Sequence, residues 1–80
     1  MFTVERESDH RKVVSLDYGS EHEDVEMYLQ DDGTVYIRQF AEDLQEYALL
    51  IMGYQQLLDL LSSLETPEGI YEARAVKGPV

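Results

Sequence analysis

Apolar and polar residues alternate with period two through much of the first half of the chain. Val25, Met27 and Leu29 alternate with Glu26, Tyr28 and Gln30, Val35 and Ile37 alternate with Thr34, Tyr36 and Arg38, and Asp31-Asp32-Gly33 lies between the two segments. This pattern predicts two strands joined by a tight turn. A three-residue turn, type I closed by Gly33 in the left-handed conformation, sets Gln30 opposite Thr34. Leu29 then pairs with Val35 and Met27 with Ile37 on one face, while Tyr28 meets Tyr36 and Glu26 meets Arg38 on the other. A two-residue turn would set Leu29 against Tyr36 and Met27 against Arg38, turning one strand to the wrong side. The three-residue turn is therefore expected.

Val13, Val14, Leu16 and Tyr18 predict an earlier strand. The stretch over residues 41–65 has two readings, one long helix or a strand followed by a helix. Tyr47, Leu49 and Ile51 interleave with Ala48, Leu50 and Met52, and Gly53 interrupts before the next periodic block, which favours strand then helix. From Tyr54 onward Leu57, Leu58, Leu61 and Leu64 form a stripe about 120° wide, with Leu60 just outside it. On this reading Leu61 is core, and Leu61→Ala is expected to cost about 2–5 kcal/mol. Thr66-Pro67-Glu68-Gly69 has the residues of a type I turn that ends the helix. Residues 70–76 predict a short edge strand and 77–80 a frayed tail. The expected fold is α+β: an antiparallel β-meander of four to five strands with one amphipathic helix packed on one face, a single domain over residues 1–76.

Eighty residues bury only about 60–65% of the surface the unfolded chain exposes, so the core is thin and function belongs on the surface. Hydrophobic content of 44% with six tyrosines is too high for a disordered acidic segment. The chain has no cysteine, which removes disulfides, thiolate nucleophiles and sulfur-based zinc sites. No basic start followed by an apolar run opens the chain, and its longest apolar stretch is far short of the ~20 residues of a membrane span. A cytoplasmic protein is the expectation.

Charge narrows the function. The net charge is -11, and between Asp17 and Glu46 ten carboxylates face one basic side chain, Arg38. Such a field repels nucleic acid and anionic membranes and attracts basic protein surfaces. Catalytic motifs are missing: no nucleophile elbow, phosphate-binding glycine loop, zincin helix or dinucleotide fingerprint is present. The carboxylate runs read as fully hydrated, unlike a general acid held in a buried site. Asp17, Glu21, Glu23 and Asp24 offer oxygen ligands to a hard cation without EF-hand spacing, and no cofactor or metal is expected. His22, between Glu21 and Glu23, reads as a solvated loop residue with a weak capacity for pH sensing.

Three function classes compete. An acidic inhibitor would set Glu21, Glu23, Asp24, Glu26, Asp31 and Asp32 where a nucleic acid puts phosphates, with Tyr28 and Tyr36 as anchors for a partner's Arg and Lys. A homodimeric module would bury Tyr28, Tyr36 and Phe40, or the last strand, with the acids serving only solubility. A direct nucleic-acid binder is the third. For that class, residues 35–40 and 47–64 resemble a strand and the last strand plus helix of the single-stranded-DNA-binding transcriptional coactivator family. That family binds through basic strands, whereas acids occupy them here, which argues against direct DNA contact. In size, charge and lack of cysteine the whole chain resembles phage-encoded inhibitors of bacterial defence, of the anti-CRISPR and anti-restriction type. That resemblance implies action in the host bacterial cytoplasm on a basic nucleic-acid-binding groove, such as that of a CRISPR effector subunit. The leading expectation is a non-enzymatic DNA mimic.

Overall fold

The computed structural model describes residues 1–72 and consists of one five-stranded antiparallel sheet with a helix following the last strand. The strands are β1 (Phe2–Arg6), β2 (His10–Ser15), β3 (Val25–Gln30), β4 (Thr34–Ala41) and β5 (Glu46–Gly53). They pair in chain order, each with the next. Helix α1 (Tyr54–Ser62) runs on into a 3-10 turn, Ser63–Glu65. This is the α+β meander that the hydrophobic alternation predicts.

The β3–β4 hairpin has the expected register: Leu29 faces Val35, Met27 faces Ile37, Tyr28 faces Tyr36 and Glu26 faces Arg38. Its turn places Gly33 at φ +92°, a conformation that costs a glycine little and any side chain more. The Asp32 carboxylate accepts the Thr34 N–H at 2.8 Å and closes the turn. Gly53 ends β5 and precedes the first helical turn, where Gln56 Oε1 accepts the Gly53 N–H at 2.9 Å. The Tyr54 N–H donates to the Gly33 carbonyl at 2.9 Å, pinning the start of α1 to the hairpin turn.

Register sorts the side chains into rows across the sheet. Val4, Val13, Met27, Ile37 and Leu50 form one row on one face, and Arg6, Arg11, Leu29, Val35 and Met52 form the next. The opposite face carries Glu5, Lys12, Tyr28, Tyr36 and Ile51 in one row, and Thr3, Val14, Glu26, Arg38 and Leu49 in another. Helix α1 packs on β4 and β5. Val35 and Leu57 are the only buried residues among those described.

The helix does not cover the sheet as its stripe predicts. Leu57 is buried and Leu58 half-buried, but Leu61 is 56% and Leu64 79% exposed. Only nine residues long, and tethered at its first turn, α1 meets the sheet near its start; β5 is the sheet edge, and among the described residues no further strand lies beyond it for the later leucines to cover. The expected large loss from Leu61→Ala is therefore corrected, and the core role passes to Leu57. Two smaller corrections concern the strands. Leu16 and Tyr18 lie past the end of β2, with Tyr18 exposed in the following loop. Residues 70–72 are not strand, and the remainder of the 70–76 prediction, like the tail at 77–80, falls outside the described residues.

Candidate functional site

In an up-and-down meander every second connection falls at the same end of the sheet. The β2–β3 loop (residues 16–24) and the β4–β5 loop (residues 42–45) thus meet, and neither contains a lysine or arginine. Glu21, His22 and Glu23 of the first border a shallow depression together with Gln39, Phe40, Ala41, Glu42 and Asp43 of β4 and the second. The Gln39 side-chain amide donates to the Glu23 carbonyl at 3.0 Å, tying β4 to the longer loop. Glu21, Glu23, Asp24, Glu42 and Asp43 are all exposed. This end of the sheet is a compact block of negative charge.

Asp17 gives the longer loop its shape. Its Oδ2 accepts the backbone N–H of Glu21 at 3.1 Å, the backbone N–H of His22 at 2.9 Å and bonds His22 Nδ1 at 2.9 Å, while Oδ1 accepts the Gly19 N–H at 3.3 Å. Ser20, at φ 56°, turns the chain within this nest. The His22 side chain first, then the backbone donors of Gly19 and His22, hold the Asp17 carboxyl below its ordinary value of 3.8. These donors engage both carboxylate oxygens, so Asp17 serves the loop and not a cation. A depressed pKa in the folded state contributes stability that is present above the unfolded value and lost as pH falls through the folded one. Asp17→Asn is accordingly expected to lower the urea midpoint at neutral pH, with the gap closing below about pH 4. Denaturation curves of both proteins at neutral and acid pH check this; a constant gap would contradict it.

The remaining residues expected at the site are dispersed. Glu26 accepts the Arg38 Nε–H and lies 4.0 Å from Lys12 Nζ, with only 19% of its side chain accessible. It is thus a neutralised partner within the sheet face and is not a free charge. Asp31 and Asp32 sit in the β3–β4 turn, separated from Asp24 by the whole of β3, about 20 Å at strand rise. There Asp31 pairs with Arg6 at 3.2 Å and Asp32 closes the turn. The single row of six carboxylates is therefore two groups at opposite ends with a paired residue between them. Tyr28 and Tyr36 lie side by side on the face away from α1, half-buried. The Tyr28 ring has His10, Lys12 and Arg38 around it at 5.9, 5.8 and 5.7 Å, and Arg38 stacks 4.4 Å from the Tyr47 ring. Lys12 and Arg38 of the chain itself thus already lie at the Tyr28 ring, and Arg38 at the Tyr47 ring.

Glu42 and Asp43 join the acidic end although sequence reasoning left them out of the site. The signal for them was topological: once five antiparallel strands are recognised in order, the second and fourth connections must lie together.

The fold and its charged end define a class, a small antiparallel meander domain with an acidic loop surface. More particularly, the chain belongs to a family described as a domain of unknown function, DUF8831, whose model matches residues 3–63, that is, all of the five strands but Phe2, and α1. Comparison with curated proteins and with solved structures finds no match. Among the described residues no helix is long and apolar enough to cross a membrane.

Proposed function

We propose that this protein is a non-enzymatic acidic binding module of the cytoplasm whose β2–β3 and β4–β5 loops dock on a basic surface of a nucleic-acid-binding protein and block it. The observation that carries this reading is the convergence of Glu21, Glu23, Asp24, Glu42 and Asp43 at one end of the sheet, with no lysine or arginine in either loop. The Asp17 nest and the Gln39 tether hold that charge on an ordered support. Ordered charge loses less conformational entropy on docking than a flexible acidic tail does. A CRISPR effector subunit with a DNA- or RNA-binding groove has the required chemistry, carboxylates taking the place of phosphates.

The test is capture from a bacterial lysate on wild-type protein and on a Glu21→Lys, Glu23→Lys, Asp24→Lys triple variant side by side. The wild type is expected to retain a nucleic-acid-binding protein that high salt releases and that DNA or RNA competes away. The triple variant should bind it on the order of tenfold or more weakly, while Asp31→Lys at the opposite end leaves capture unchanged. Equal retention by the wild type and the triple variant would refute the mimicry. A second reading, a homodimeric interaction module, rests on a separate observation, the edge of β5, which no other described strand covers.

A further inference from the structure

The two edges of the sheet differ in chemistry. At β1 the edge is five residues long and carries Glu5 and Arg6, charges of the kind that discourage strand addition. At the other edge β5 is eight residues long and reads Glu-Tyr-Ala-Leu-Leu-Ile-Met-Gly, with no charge after Glu46 and no proline. Tyr47, Leu49, Leu50 and Ile51 are 52–59% exposed, and on the following helix Leu60, Leu61 and Leu64 are exposed as well. Leu60 borders a cleft with Leu50, Ile51 and Met52. At roughly 100 Å² for each half-exposed Leu, Ile or Tyr, these seven residues offer roughly 700 Å², near the ~800 Å² per partner of a standard interface. A long, apolar, unprotected edge in a soluble monomer is an aggregation hazard; one closed by a two-fold partner is not.

We propose that β5 pairs antiparallel with β5 of a second copy of this chain, about a two-fold axis at Leu50, to make one continuous ten-stranded sheet. The strand is its own complement in this register. Leu50 meets Leu50, Leu49 meets Ile51, the small Ala48 meets the long Met52, and Tyr47 lies over Gly53, where an aromatic ring shields a bare backbone. Directly opposed residues share a face, so the alternation on both sides of the sheet is kept. A two-fold axis at Leu49 would instead set Glu46 against Met52 twice and bury two carboxylates without partners. Pairing β5 with the β1 edge of another copy would be heterologous and would propagate into open fibres.

Charge points to the same occupant. The net charge of -11 opposes association through most of the surface, but antiparallel pairing sends the two acidic ends in opposite directions. Glu42 and Asp43 of one copy then lie beyond the Gly53 end of its partner, where Tyr54, Gln55 and Gln56 are uncharged and, of the two acids in the adjoining hairpin turn, Asp31 is paired with Arg6. This inference is independent of the acidic-loop reading, since the β5 edge and those loops are different surfaces.

The chain has no cysteine, which allows a clean test. Sedimentation should give wild-type protein twice the 9.2 kDa mass of one chain. Leu50→Cys, under mild oxidation, should form a disulfide-linked dimer of that same mass. Ala48→Cys should not, because the two copies of residue 48 would lie four residues apart along the strands, roughly 13 Å, beyond the ~7 Å reach of a disulfide. A monomeric wild type, an open series of larger species, or a dimer in which Leu50→Cys fails to cross-link preferentially would each overturn the proposal.

Discussion

Leu57→Ala is expected to remove about 2–5 kcal/mol of stability, a large share of the roughly 4–12 kcal/mol available to a chain of this length. Leu57 is 7% and Val35 1% exposed, and no other described residue is buried. Truncating one therefore leaves the other facing a cavity with no third core side chain to close over it. Leu61→Ala, on the same helix, removes a side chain that is already half in water, and should cost less than about 1 kcal/mol. Urea denaturation followed by circular dichroism distinguishes the two. Equal losses at both positions would mean that α1 packs along its whole length, contrary to the architecture described above.

The second large effect is expected from Glu26→Lys. Glu26 sits between Arg38 and Lys12, and Arg38 lies over the Tyr28 and Tyr47 rings. Reversal places a third cation beside Lys12 and Arg38, and Arg38 has no other carboxylate in its row, since Thr3, Val14 and Leu49 complete it. The guanidinium loses the acceptor that orients it over the rings. Like charges opposed on a strand pair destabilise, and a partly desolvated site strengthens the repulsion. Glu26→Lys should therefore lower the urea midpoint more than Glu21→Lys or Glu23→Lys, and added salt should recover part of the loss. Glu26→Gln keeps an acceptor oxygen and should fall between wild type and the reversal. A Glu26→Lys protein as stable as the Glu23→Lys protein would show that Glu26 is a surface charge like the others. A partner-binding defect in Glu26→Lys would accordingly reflect loss of structure, which is why the docking test uses the loop acids.

Much of the fold was legible in local patterns. The β3–β4 register followed from matching side chains across a three-residue turn, because a slip of one residue carries a whole strand to the wrong face. Gly53 marked the change from period two to period 3.6, and β5 and α1 divide there. The leucine stripe was legible as a stripe, but its burial was not. Amphipathicity states which side of a helix seeks cover, and the extent of the sheet beneath it decides how much cover there is. With β5 at the edge, Leu57 finds the sheet while Leu61 and Leu64 pass beyond it.

The candidate site divides in the same way. The excess of carboxylates, the lack of any nearby base in the loops and the pairing of Glu26 with Arg38 are properties of the sequence and of a hairpin read within it. Whether charges add or cancel depends on distance, and distance across a sheet is set by strand order. Asp31 is seven residues from Asp24 in the chain yet at the far end of β3, whereas Asp43, nineteen residues away, shares its end of the sheet. The sequence by itself determined the strands, the turn, the sign of the field and the elements that bear it. Only the tertiary structure decided which acids lie together, which are met by Lys12 and Arg6, and that β5 is an apolar edge without a neighbour among the described residues. Those outcomes depend on contacts between residues remote in the chain, which no local periodicity encodes.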